Sequence, residues 1–306
     1  MRIAFLGTPE FALPSLQKLI DRKDDLAVFT QPDRPVGRKA ILTPPPVKEL
    51  AIKNNIPVYQ FEKIRSPEGV QALKSFHPDL IVTAAFGQLL SFENLSIPKF
   101  GTINVHGSLL PKYRGASPIQ SAILNGETIT GVTTMFTDIG MDTGDILLAR
   151  ETVIDPNETY GSLSDRLAII GADVLGETID RLESGTLVRI SQKDSEASVC
   201  HMISKSDGIL NFSDTRTNVH NKIRAMNPWP CAYAFLNDEV FKIWESSIPD
   251  LLQTDVPGRL IVKGNKLYVF CSDGPLEILS LQVPGKKRMD SASFLRGCSL
   301  DGKILS

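Results

Sequence analysis

The sequence predicts an α/β chain: a mostly parallel sheet over the first two-thirds, then a small β-barrel. Three observations carry that reading. Buried-strand runs alternate with stretches of helical period up to about Leu182, which is the mark of βαβ units. A polar, weakly periodic stretch follows, "TLVRISQKDSEASVCHMISKSDG". Beyond it, short strands are punctuated by "LNDE", "KGNK", "SDGP" and "PGKK", turn chemistry at close intervals.

Taken in order, "RIAFLG" is a buried strand and "FALPSLQKLIDRKD" carries apolar residues at helical spacing. "LAVFTQ" is a strand, "VKELAIKNN" a helix and "PVYQ" extended. "SPEGVQALKSF" is a helix with a Ser cap, and "DLIVTAAF" a strand. "GTINVH" is a further strand, and "SPIQSAILNG" a helix closed by Gly126. "TGVTTMFTD" and "DILLARETVI" are extended and antiparallel, and a long amphipathic helix from Tyr160 to Leu182 ends just before Gly185. The expected domains are 1–188, a linker over 189–204, and a barrel domain over 205–306. In the last, a short helix, "TNVHNKIRAMN", leads through "PWP" into the strands.

Composition narrows the class. The 306 residues have a formal net charge of −2, so no global basic field draws nucleic acid. The balance is uneven: from Lys205 onward there are 13 basic residues against 11 acidic, so the basic share sits in the smaller domain. The opening "MRIAFLGTPEF" is too short an apolar run for a signal peptide, and no stretch approaches a membrane span. Cys200, Cys231, Cys271 and Cys298 lie far apart and read as reduced thiols in a cytoplasm, not metal ligands.

The first strand ends in "GTPEFA", where a dinucleotide fingerprint would need further glycines; Gly7 alone cannot bring the backbone to a pyrophosphate. An oxidoreductase reading therefore loses its support. Gly7, Thr8 and Pro9 read as a sharp exit at the carboxyl edge of the sheet, where ligands bind in open α/β folds. In "INVHGSLLPKYRG", Asn104 and His106 are two apart on a strand and share one face. Alone, such a pair reads as turn-formers and satisfied polar groups as readily as catalysts. The bent "MDTGD" loop brings a third group, Asp142, to the same edge. An amide can donate to a carbonyl oxygen gaining charge, a His can donate a second hydrogen bond or a proton, and a carboxylate can orient that His or accept a proton. Ser108 lacks a nucleophile-elbow pattern. The fitting chemistry is direct acyl transfer to a nucleophile carried by the substrate.

"INVHGSLLPKYRGASPIQ" and "GVTTMFTDIGMDTGDIL" resemble the folate-dependent formyltransferases, whose signature is an Asn-x-His pair, an SLLP loop and a later Asp. The resemblance implies a Rossmann-like catalytic domain, a linker and an OB-like barrel. It implies that Asn104, His106 and Asp142 are the catalytic trio, and that Ser108, Leu109, Leu110 and Pro111 contact folate. With "FTQPDRPVGR" and "AMNPWPCAY", the likeness runs from end to end and favours the branch acting on methionyl-tRNA. That branch moves the formyl group of 10-formyltetrahydrofolate to the α-amine of methionine on initiator tRNA. No metal, no membrane, a cytoplasmic location and a monomer are expected.

The Pro-rich segment Gln31–Lys48 reads as an exposed insert with four basic residues and one acid. By resemblance it clamps the acceptor end of tRNA through Arg38, with Arg34 and Lys39 beside it. It departs from the family's usual Gly-Lys-Lys after that Arg, reading Lys39, Ala40, Ile41. Lys286 and Lys287 are further tRNA candidates, as are Lys205, Arg224 and Arg288. Trp229 reads as a core anchor of the barrel's first strand, with base stacking as the alternative. His77, His201 and His220 read as structural or surface residues. Two other functions stay open: a formyltransferase for a small amine, and an RNA-binding module without activity, against which the intact trio argues.

Overall fold

The computed structural model describes every residue except Arg38, Lys39 and Leu252, and Val36 in its backbone alone. It divides into two compact units. The first comprises residues 1–118, 130–152 and 164–200, and the second residues 119–129, 153–163 and 201–306. The units interleave relative to the expected domains of 1–188 and 205–306. Residues 189–200 belong to the first unit, and two segments from within the αβ alternation belong to the second. The physical reason is where their polar groups go. In the second unit, Gln120 Nε2 donates to the carbonyls of Ala225 and Trp229, and Gly161 N to that of Asn227.

Up to Cys200 the chain runs in order through β1 (Arg2–Gly7), α1 (Leu13–Asp21), β2 (Asp25–Thr30), β3 (Arg34–Val36), β4 (Ile41–Thr43), α2 (Pro46–Lys53), β5 (Val58–Gln60), α3 (Pro67–Phe76), β6 (Leu80–Ala84), α4 (Phe92–Leu95), β7 (Thr102–His106), β8 (Arg114–Gly115), α5 (Pro118–Leu124), β9 (Ile129–Phe136), β10 (Ile146–Val153), α6 (Tyr160–Glu183) and β11 (Val199–Cys200). The main sheet runs β10-β9-β7-β6-β1-β2-β5. The pairs β1–β2, β1–β6, β2–β5 and β6–β7 are parallel, whereas β7–β9 is antiparallel. Strands covered on both faces need continuous apolar runs. Ile3, Ala4, Phe5 and Leu6 of β1 accordingly have no exposed surface.

Strand order reverses between β1 and β6, so a ligand crevice is expected outside their carboxyl ends. Two polar groups knit this edge. Thr8 Oγ1 donates to the Phe86 carbonyl at 3.0 Å, and Gln31 Nε2 donates to the Gly87 carbonyl at 3.2 Å. Gly7 has no room for a side chain, since an added Cβ would lie 2.7 Å from Phe5 and 2.8 Å from Ala12. The Ser66 hydroxyl caps α3 by accepting from Gly69 N, as its sequence predicts.

The second unit continues with α7 (Arg216–Ala225), β12 (Ala232–Leu236), β13 (Glu239–Ser247), β14 (Leu260–Lys263), β15 (Lys266–Cys271), β16 (Gly274–Gln282), β17 (Met289–Asp290) and α8 (Ser291–Leu295). Its sheet is antiparallel in the order β12-β13-β16-β15-β14, with β17 on β16. The last residues join the two edge strands. Phe235 of β12 exchanges backbone hydrogen bonds with Ser306, while Leu260 N donates to the Lys303 carbonyl on the β14 side. The sheet is thereby closed around a core that includes Phe241, Val269, Leu276 and Phe294. Cys231 and Cys271 are buried, which pushes their thiols up to about 11 and about 12 and keeps them protonated at neutral pH.

Candidate active site

Strand β7 carries two functional residues because its side chains alternate. Ile103 and Val105 are buried on one face, and α6 lies close against Val105 at Gly171, where an added Cβ would be 2.8 Å from Val105 Cγ1. Asn104 and His106 face the other way. Asn104 is directly paired with Thr83 of β6, whose hydroxyl donates to Asn104 Oδ1 at 2.8 Å. That bond fixes the amide, leaving Nδ2 to donate outward. Thr83 escaped the sequence reading, since only strand register brings it to Asn104.

His106 is 5% exposed. Its Nε2 lies 2.9 Å from the Tyr113 carbonyl, an acceptor, so this nitrogen carries the proton. Its Nδ1 faces Asp142 Oδ2 at 3.7 Å. The ring thus sits between the Tyr113 carbonyl and the Asp142 carboxylate. Nδ1 is the ring nitrogen turned toward the Asp142 carboxylate, a placement from which it can exchange a proton. Tyr113 has φ of 60°, a left-handed geometry that turns its carbonyl to the ring.

Asp142 reaches this place by a detour. Because β9 runs antiparallel to β7, its last residue, Phe136, lies opposite Ile103 at the amino end of β7. The loop to β10 must bend back toward His106. Asp138 Oδ1 organises the bend by accepting from Gly140 N at 3.0 Å and from Thr143 Oγ1 at 2.7 Å. Gly144 permits it, since an added Cβ would lie 1.8 Å from the Phe136 carbonyl oxygen. Asp142 itself has φ of 54°, which Asp tolerates better than most residues. Its Oδ2 accepts from Gly115 N at 2.8 Å. Ile139 and Met141, on the same loop, are largely exposed apolar side chains.

The Ser108–Pro111 turn is held from within. The Ser108 hydroxyl donates to the Lys112 carbonyl at 2.7 Å, while Thr133 Oγ1 donates to the Ser108 carbonyl and accepts from Leu110 N. Ser108 is fully buried and its hydroxyl shapes the turn; Leu110 is also buried, whereas Leu109 and Pro111 are half-buried.

Of the basic candidates, Arg38 and Lys39 lie outside the described residues. Arg34 is exposed and pairs with Glu62 Oε2 at 2.5 Å. Lys286 and Lys287 are exposed, with the Lys286 ammonium 5.5 Å from the Phe294 ring centre. Lys205 is exposed, and Arg288 stacks 5.0 Å over Trp244. Arg224 is corrected: it is buried, donating to Asn221 Oδ1 and to the carbonyls of Asp155 and Glu158, and cannot meet a phosphate. Trp229 is also corrected, being 50% exposed and no core anchor. Among the described residues, no helix is long and apolar enough to cross a membrane.

Comparison with known proteins matches the chain in two contiguous parts. Residues 1–179 match the formyl transferase family, and residues 202–299 match the formyl transferase C-terminal domain. A relative from Geotalea uraniireducens named methionyl-tRNA formyltransferase is 50% identical, over 100% of this chain and 98% of its own. One of the same name from Ruminiclostridium cellulolyticum is 46% identical over 98% of each chain. Among solved structures, an N-formyltransferase from Helicobacter canadensis, described with folinic acid and dTDP-3-aminofucose, has a TM-score of 0.68 at 23% identity. It covers 91% of this chain and 98% of its own. HypX from Aquifex aeolicus, in complex with tetrahydrofolic acid, has a TM-score of 0.67 at 18% identity, over 99% of this chain and 50% of its own. At such identities the likeness to these two structures is one of fold.

Proposed function

The chain belongs to the formyl transferase family, and on that premise we propose that it moves the formyl group of 10-formyltetrahydrofolate to the α-amine of methionine on initiator tRNA. The observation that carries the acceptor is the 50% identity to a methionyl-tRNA formyltransferase across both units. In the proposed reaction the amine nitrogen bonds to the formyl carbon, and the bond from that carbon to N10 of the folate breaks. Asn104 Nδ2 donates to the formyl oxygen as it gains charge. The amine's proton passes to the His106–Asp142 pair and then to the departing N10, so no covalent enzyme intermediate forms. Exposed Ile139 and Met141 beside Asp142 suit the flat apolar face of a folate.

Arg38 is the tRNA contact in this reading, with Arg34, Lys39, Lys286 and Lys287 as supplementary charges. The test is formylation of charged initiator tRNA against free methionine and small amines. We predict that Arg38→Ala strongly lowers kcat/KM for charged tRNA and makes the salt slope shallower by roughly one contact. Lysine should restore only part, lacking the bidentate fork. Turnover of charged tRNA at the wild-type rate by Arg38→Ala at physiological salt would remove the clamp from the mechanism.

A further inference from the structure

The segment expected to be a free linker instead fastens both loops of the site. At its start, the Arg189 guanidinium stacks 4.6 Å over Phe136 and its Nε donates to Asp145 Oδ2 at 3.0 Å. Ile190 and Ile146 exchange backbone hydrogen bonds of 2.8 and 2.9 Å, and Ser191 Oγ donates to Asp145 Oδ1. Gln192 comes next and grips the Asp142 loop itself. Its Nε2 donates to the carbonyls of Asp142 at 2.8 Å and Gly144 at 2.7 Å. Its Oε1 accepts from Arg114 Nε at 2.9 Å, and Arg114 Nη1 is held by Asp194 at 2.9 Å. Arg114 is buried, so this guanidinium is a fixed post for the glutamine amide.

The far end of the segment grips the other loop. Ser198 O accepts from Arg114 N at 2.8 Å, and Ser198 Oγ accepts from Tyr113 N at 2.9 Å. Val199 and Cys200 then pair in parallel with Arg114 and Gly115. Gly115 is required for that approach, because a Cβ there would sit 2.5 Å from the Cys200 carbonyl oxygen. Tyr113 supplies the carbonyl on His106 Nε2, and Gly115 supplies the N–H on Asp142 Oδ2. One continuous stretch therefore holds the two backbone groups that orient the His106–Asp142 pair.

We propose that residues 189–200 are a clasp that sets the catalytic geometry, with Gln192 the positioning residue for Asp142. The inference rests on the reading of Asp142 as a proton acceptor. A carboxylate on a left-handed loop residue has no rigid element of its own beneath it. Gln192 bridges the loop's residues 142 and 144, which confines the carboxylate to one side of the ring. A displacement of about 1 Å at reacting groups can cost on the order of a hundredfold.

Gln192→Met keeps the length of the side chain and removes both donors. It should lower kcat on charged tRNA by roughly 10- to 100-fold, with the KM for the formyl donor within about twofold, as orientation without binding implies. Asp142→Asn, the control for the underlying reading, should be nearly inactive. In that background Gln192→Met should cost less than about twofold more, because the two act through one group. Ser198→Ala, which deletes a single hydroxyl, should lower kcat by several-fold and is the second probe if Gln192→Met does not fold. An active Asp142→Asn enzyme would remove the reading beneath the proposal. An inactive Asp142→Asn, alongside Gln192→Met and Ser198→Ala at wild-type kcat, would overturn the clasp alone. So would an equal loss from Gln192→Met in both backgrounds.

Discussion

An amide has two ends, and at Asn104 a neighbouring hydroxyl decides which end meets the substrate. Thr83 donates to Oδ1, so rotation that would present the oxygen to a formyl carbonyl breaks a hydrogen bond. Such a bond contributes about 1 kcal/mol net, which corresponds to roughly fivefold in rate if spent on orientation. Removing the Asn104 donor itself should cost roughly 10²–10³ in kcat. We therefore predict an intermediate result for Thr83→Val: kcat lower by about five- to tenfold, an unchanged KM for the donor, and recovery in Thr83→Ser. Wild-type kcat in the valine variant would show that Asn104 keeps its orientation without Thr83. Strand alternation put Asn104 and His106 on one face, since that rule is local, and the resemblance of their motif made them catalytic candidates. Thr83 was not legible, because it acts across a pairing of distant segments.

Elements were legible where local rules govern them, and illegible where packing does. The Ser66 cap and the Gly126 and Gly185 stops are backbone chemistry and fall where their residues predict. The return of the Asp142 loop was hidden, since it depends on the antiparallel direction of β9 and on Asp138 accepting two donors. The clasp looked like a linker because its residues are polar with no period, and their partners are backbone groups far along the chain. Arg224 shares the composition of a surface cation and is buried only because three carbonyl or amide oxygens receive it. Element packing also yields a test. Gly171 lets α6 approach Val105, the residue between Asn104 and His106, and an added Cβ would also lie 3.3 Å from Val132 Cγ1. Gly171→Ala gains about 1 kcal/mol of helix propensity but overpacks a site where extra methyls cost about 1–3 kcal/mol. We predict that overpacking wins, lowering Tm by roughly 2–8 °C and reducing kcat as β7 shifts. A raised Tm with full activity would show that α6 can move away without disturbing the strand.

Stability of the whole molecule should depend on pH through a group far from the chemistry. His220 is buried in the second unit, where Nε2 donates to the Pro156 carbonyl at 3.1 Å and Nδ1 accepts from Ser246 Oγ at 2.9 Å. Those partners fit the neutral ring. Burial pushes the His220 pKa below its ordinary 6.5, and the positive Arg224 one turn further along α7 lowers it more, against the opposing pull of the Pro156 carbonyl. The sign follows from linkage. Above pH 6.5 folded and unfolded chains both carry a neutral ring, and the contribution to stability is fully present. As pH falls below 6.5 the unfolded chain takes up the proton first, so stability is lost until the pH passes below the depressed folded value. His220→Gln retains a donor for Pro156 and cannot titrate. It should cost about 1 kcal/mol at pH 7.5, where the Ser246 bond is lost. Its Tm should also fall less steeply than that of the wild type as pH drops from 7 to 5. Thermal melts of both proteins across that range decide the point. Parallel curves would mean that the acid sensitivity belongs to another group.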